Sequence, residues 1–235
     1  MKKIIHRADT RGYHDYGWLK TRHTFSFSRY FNPERMNFGV LRVLNDDIVI
    51  GGAGFDTHPH DNMEIVSIPL KGSMVHKDST GHEMVIREGD VQIMSAGTGL
   101  YHSEYNHSGT DDLNFLQIWI IPKKRNIDPR YEQKAFPSND RKNGLKTVIS
   151  PDQADTLWIN QDAYFTLGHS NPGQVFTYSI RKKGNGVYLF VIEGKVTIEK
   201  EVLERRDGMG LTDIDKVDLI AAPDTRFLVI EVPLG

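Results

Sequence analysis

β-Branched and aromatic residues recur in short runs bounded by Gly, Asp, Asn and Pro, at Gly39–Leu44, Ile65–Leu70, Met84–Arg87, Val91–Met94, Phe115–Ile121, Val187–Ile192 and Val196–Glu199. Runs of this length and composition predict strands. No long stretch keeps a helical period. Between Val75 and Val85 the segment Asp78–Gly81 has turn composition and predicts a hairpin connection. The pattern predicts an all-β chain, a sandwich or a barrel.

An internal echo refines this picture. The block Ser67–His76, followed by Glu88–Met94, is matched about 122 residues later by Leu189–Ile198, followed by Gly208–Ile214. Self-similarity at a fixed offset predicts two copies of one β-unit, residues 1–140 and 141–235, joined in the polar stretch Pro137–Gly144.

Composition narrows the functional classes. The 235 residues are 38% hydrophobic, enough for substantial cores. The net charge of −2, from 29 basic and 31 acidic residues, provides no electrostatic footprint for nucleic acid. The clusters Lys123–Arg125 and Arg181–Lys183 read as solvated loop charge. No apolar run is long enough for a bilayer, and Met1–Arg7 lacks the apolar core of a signal peptide. A soluble, cytoplasmic protein without membrane contact is expected. There is no cysteine, which removes disulfide scaffolds, iron–sulfur clusters and thiolate nucleophiles together.

The candidate chemistry lies in two pairs spaced i, i+2: His58 with His60, and His102 with Glu104. Each pair sits in strand-like sequence, so its members share one side of a sheet. Three imidazoles and a carboxylate form an oxygen-containing, nitrogen-rich ligand set suited to a divalent transition metal. If the strand runs unbroken, parity also places Glu64 on the face of His58 and His60. Both glutamates are sterically possible ligands, and the family resemblance these residues carry favours Glu104, with Glu64 as a partner accepting an N–H from a ligand histidine. His76, His82 and His107 read as ordinary hydrogen-bonded or solvated residues. Trp18, Phe25 and Phe27 read as core, and Gln117 and Trp119 share one face of their strand. Around Gln174–Tyr178, where a second His-x-His is expected, there is no histidine, so the second copy is expected to bind no metal.

These residues carry a resemblance. Gly52-x5-His58-x-His60-x3-Glu64-x7-Gly72 resembles the first cupin motif with one extra residue, and Gly89-x5-Ser95-x-Gly97-x4-His102-x3-Asn106 resembles a stretched second one. Both departures are shared with the pirins. Further segments similar to bacterial pirin-like proteins are Gly17–Leu19, His23–Phe27, Leu41–Asp47, Met94–Gly99 and Pro129–Gln133.

The resemblance implies two cupin-type jelly-roll β-barrels in tandem, a bicupin, with metal only in the first. It implies His58, His60, His102 and Glu104 as ligands of one divalent ion, iron(II) first, with copper, nickel, manganese, cobalt or zinc as alternatives. It further implies quercetin 2,3-dioxygenase activity, in which Glu104 takes the 3-hydroxyl proton of a flavonol and dioxygen cleaves the heterocycle with release of carbon monoxide. Another enolic substrate would use the same site. The alternative implied by animal relatives is a non-enzymatic, iron-binding regulator acting through a protein partner. No DNA-binding motif supports direct contact with nucleic acid.

Overall fold

The computed structural model describes residues 1–137, 144–152, 155–170 and 174–235. Among these, every element is a strand apart from one 3-10 turn at Ala8–Thr10, as the pattern predicts. The strand expected from Gly39 begins instead at Leu41, because Gly39 takes a left-handed φ of 55°. The Asp78–Gly81 hairpin joins Ser73–Asp78 to Glu83–Arg87, with Asp78 Oδ1 accepting the Thr80 amide at 2.9 Å. The join expected at residues 140 and 141 lies outside the described residues.

In the first half a seven-stranded sheet runs Arg130–Ala135, Asp90–Ser95, Glu64–Lys71, Leu113–Ile120, Leu41–Val49, Leu19–His23, Gly12–Asp15. It faces a four-stranded sheet of Gly54–His60, Leu100–Asn106, Ser73–Asp78 and Glu83–Arg87. The second half repeats this plan. Its seven-stranded sheet holds Gly208–Thr212, Asn185–Glu193, Arg226–Pro233 and Tyr164–His169 in its centre, and its four-stranded sheet runs Gln174–Ser179, Lys216–Ala221, Val196–Ile198, Glu201–Leu203.

The echo in the sequence thus corresponds to two jelly-roll barrels. Gly72 and Gly194 close equivalent turns at φ 80° and 82°. Asp90 and Asp207 each accept the backbone amide three residues earlier, from Arg87 at 2.9 Å and from Glu204 at 3.1 Å. One strand crosses over: Lys2–His6 pairs with Gly208–Thr212 at the edge of the second half's sheet.

The two large sheets pack on each other. Leu44, Leu116 and Ile118 of the first and Phe165, Phe190 and Leu228 of the second belong to one buried core. Strands between two layers are covered on both faces, which is why Glu64–Lys71 and Asn185–Glu193 read as nearly continuous apolar runs. The outer strand Lys216–Ala221 alternates exposed and buried residues instead. Inside the second barrel Phe176, Tyr178, Leu219 and Phe227 fill the space between sheets. No described helix is long and apolar enough to cross a membrane.

Candidate metal centre

Antiparallel register assembles the three histidines. His102 stands directly opposite His58, and Leu100 opposite His60, between strands Leu100–Asn106 and Gly54–His60. The ring centroids of His58, His60 and His102 lie 4.4 to 4.9 Å apart. One nitrogen from each lies within 4.8 Å of the others, so the three can hold a metal ion. Gly54 lets the strands approach, since a Cβ there would meet Glu104 O at 2.5 Å.

The donor atoms are prepared for a cation. His58 Nδ1 donates to the Asp56 carbonyl at 2.7 Å, which leaves Nε2 as the free electron pair. His102 is buried and neither ring nitrogen has a hydrogen-bond partner. Burial, with His58 and His76 nearby, holds His102 at about 3, and burial, with His102 and His58, holds His60 at about 4. Both are therefore neutral at neutral pH, as metal-binding imidazoles must be. Unpartnered nitrogens in a converging trio fit a metal ion better than they fit a closed protein interior.

Glu104 lies two residues further along the same inward face, 3% exposed. Its Oε1 accepts from Ser67 Oγ at 3.0 Å and its Oε2 from Gln117 Nε2 at 2.8 Å, both on the opposite sheet. Within the same 4.8 Å limit it groups with His102 and His76.

Glu64 does not join this group. The expectation of shared parity fails because Gly54–His60 ends before Glu64, Asn62 turns the chain at a left-handed φ of 44°, and Glu64–Lys71 belongs to the other sheet. The Glu64 carboxylate instead accepts from Ser95 Oγ at 2.8 Å and from the Asn160 amide of the second half at 3.2 Å. Burial pushes its pKa up. It buttresses the seam between the barrels.

His76, expected to be ordinary, is fully buried 5.3 Å from the His102 ring and opposite Glu104 in register. Its Nε2 pairs with Asp78 Oδ2 at 3.1 Å. Against the effect of burial, hydrogen bonds from Thr80, His76 and the His82 amide hold Asp78 down at about 2. The pairing of Ser73–Asp78 with the ligand strand, which placed His76 here, has no signature in the spacing of histidines.

A cavity of about 640 Å³ opens onto His58, His60 and Glu104. Trp18, Phe27, Phe55 and Trp119 wall it, with Trp119 edge-on to His60 at 4.9 Å and to Phe27 at 5.2 Å. Trp18 and Phe27 are thus cavity walls, whereas Phe25 is core as expected. Gln117 and Trp119 face the cavity, as do Asn45 and Asp47. The last two stand i, i+2 in the polar run Asn45-Asp46-Asp47, a spacing that puts them on one strand face. In the second barrel the equivalent strands direct Phe176, Tyr178 and Leu219 inward, and no metal-binding group is found there among the described residues.

Comparison with known proteins agrees with this architecture. The pirin family profile matches residues 5–120, and the quercetinase C-terminal cupin domain matches residues 147–232. A quercetin 2,3-dioxygenase of Escherichia coli (strain K12) is 39% identical over 97% of this chain and 98% of its own length. The crystal structure of the bacterial pirin YhhW from Escherichia coli in complex with nickel(II) superposes with a TM-score of 0.94, at 37% identity and full coverage of both chains. A quercetin 2,3-dioxygenase from Acinetobacter baumannii shares the fold at 22% identity, with a TM-score of 0.79 over 98% of this chain and 86% of that one. The chain belongs to the bacterial pirins of the cupin superfamily.

Proposed function

We propose that this pirin is a metal-dependent dioxygenase that cleaves flavonols such as quercetin, with one divalent transition metal held by His58, His60, His102 and Glu104. The observation that carries this reading is the aromatic-walled cavity of about 640 Å³ reaching His58, His60 and Glu104 of that set. A structural metal site is closed by its protein ligands, whereas a catalytic one keeps positions open. The names of the 39% identical relative and of the nickel-bound pirin support it.

When bound, the ion supplies Lewis-acid charge that stabilises a deprotonated enol oxygen. The chain's own residues do the rest. The Asp56 carbonyl fixes the His58 tautomer. Ser67 and Gln117 each donate to one oxygen of Glu104, and each oxygen keeps a second lone pair for the ion or for the substrate's proton. Glu104 takes the proton of the flavonol 3-hydroxyl as general base. Glu64, turned to the other face of its sheet, takes no part. The aromatic walls exclude water and accept a planar polycyclic substrate. A regulator acting through surface contacts alone has no need of such a chamber, so the cavity favours catalysis.

The test is elemental analysis of protein purified without added metal, paired with oxygen uptake on quercetin before and after chelation. About one ion per chain and uptake only by the loaded protein are expected. Flavonol-independent uptake, or none after loading with any of the candidate metals, overturns the reading.

A further inference from the structure

A side chamber of about 210 Å³ adjoins the main cavity, and Trp18, Phe27, Phe55, Asn45 and Asp47 line both. Its inner wall is made of two cross-strand pairs: Thr21 opposite Asp47 and His23 opposite Asn45, on strands Leu19–His23 and Leu41–Val49. All four residues are at most 4% exposed. Each presents an atom with no hydrogen-bond partner: Thr21 Oγ1, His23 Nδ1, Asn45 Oδ1 and Asp47 Oδ1. Burial lifts the Asp47 pKa and the adjacent Thr21 hydroxyl lowers it, although the pair does not meet hydrogen-bond geometry.

Buried polar groups in folded proteins are nearly always paired, and leaving one unpaired costs free energy. Four unpaired groups converging on one chamber, beside a ligand cavity, mark a place where the partners come from outside the protein. Because the two strands are hydrogen-bonded neighbours, the four side chains stand on a rigid frame rather than on loops.

We propose that this chamber is the subsite for the hydroxylated aromatic ring of the substrate remote from the enol, and that it selects flavonols carrying ring hydroxyls over those without them. The proposal rests on the flavonol reading above and adds the recognition element to it. Ring hydroxyls donate to Asn45 Oδ1 and Asp47 Oδ1 and accept from Thr21 or from the His23 ring, while the shared aromatic walls hold the ring plane. Burial holds His23 at about 4, so its ring is neutral at neutral pH, and lifts Asp47 to about 7, well above the usual carboxylate range. A site built to hydrogen-bond a substrate hydroxyl discriminates strongly against the analogue that lacks it, because the buried groups are then left unpaired.

The experiment compares quercetin with 3-hydroxyflavone, which keeps the enol but lacks the ring hydroxyls. Two readouts are used: kcat/KM of the metal-loaded protein, and calorimetric titration of the metal-free protein with each compound. Roughly a 100-fold preference for quercetin in kcat/KM, and tighter quercetin binding to the metal-free chain, are expected. In Asn45→Leu and in the nearly isosteric Thr21→Val the quercetin to 3-hydroxyflavone ratio should fall about 10-fold or more, chiefly through KM for quercetin. A ratio near one in the wild type, or a ratio unmoved in both variants, overturns the subsite. If neither compound is turned over, the flavonol reading fails on its own. The calorimetric comparison then still decides the chamber: quercetin binding weakened by Thr21→Val upholds it, and quercetin binding no tighter than that of 3-hydroxyflavone overturns it.

Discussion

Gln117 Nε2 donates to Glu104 Oε2 at 2.8 Å across the first barrel, from the strand wall opposite Glu104's own sheet. With Ser67 on the other oxygen, the carboxylate is held from both sides before any metal or substrate arrives. Pre-oriented groups of this kind cost no reorganisation at the reacting centre.

Graded losses are therefore expected at three positions. Glu104→Gln should lose most bound metal or most turnover, because a neutral amide is a poor ligand and cannot act as base. Gln117→Leu should keep the carboxylate but lose its orientation, at a cost of about 10–100-fold in activity or metal affinity. Glu64→Gln should leave both near the wild-type level and lower stability by ~1 kcal/mol through its bonds to Ser95 and Asn160. Metal content, turnover and denaturant midpoints of the three proteins at one pH measure the order. A greater loss at Glu64 than at Glu104 would transfer the ligand role.

His102→Ala should release the metal without unfolding the chain. The barrel around it is held by Phe115, Met74, Ile86 and Leu113 and by strand pairing, none of which involves the imidazole. Circular dichroism and elemental analysis on the same sample are the check. An unfolded variant at room temperature would make the site structural.

The shared core is expected to make the two barrels unfold as one cooperative unit. Leu116, fully buried where the large sheets meet, should cost ~2–5 kcal/mol as Leu116→Ala through lost burial and the cavity left behind. Calorimetry should show one transition moved to lower temperature. Two separated transitions, with only the first half affected, would show that the barrels unfold independently.

His6 supplies a pH signature remote from the metal centre. It is buried beside Tyr188, with Nδ1 2.8 Å from the phenol oxygen, and burial, with Arg35 adding to it, holds its pKa at about 4 rather than 6.5. A depressed folded-state pKa means that protonation favours the unfolded chain. The stability is complete above pH 6.5 and falls as pH drops towards 4, by up to ~1.4 kcal/mol per pH unit. His6→Phe keeps the ring packing on Phe25 but cannot titrate. It should be less stable than wild type at pH 8, where the Tyr188 hydroxyl loses its partner, and show a shallower decline between pH 6.5 and 4. Urea denaturation at pH 8 and pH 4.5 measures both limbs. Parallel curves would place the acid sensitivity elsewhere.

Local composition sufficed wherever one strand or one turn carried the information. The apolar runs at Ile65–Leu70 and Val187–Ile192 are strands because residues covered on both faces must be apolar throughout. His58 with His60, and His102 with Glu104, share faces because strand side chains alternate. The Asp78–Gly81 turn was legible from its side chains alone. Glu64 was misplaced because parity holds only along an unbroken strand, and the turn at Asn62 switches the chain between sheets.

The sequence by itself determined the all-β class and the duplicated plan and pointed to the histidine trio, since each depends on periodicity, spacing and residue chemistry within a few positions. Tertiary structure alone decided which strands became neighbours. It placed His76 beside His102, turned Trp18 and Phe27 from core into cavity wall, added Lys2–His6 to the second barrel, and set Thr21 and His23 opposite Asp47 and Asn45. Strand pairing joins residues far apart in the chain through backbone hydrogen bonds that are alike for every side chain, so the partner of a strand is chosen by the packing of the whole barrel and leaves little local trace.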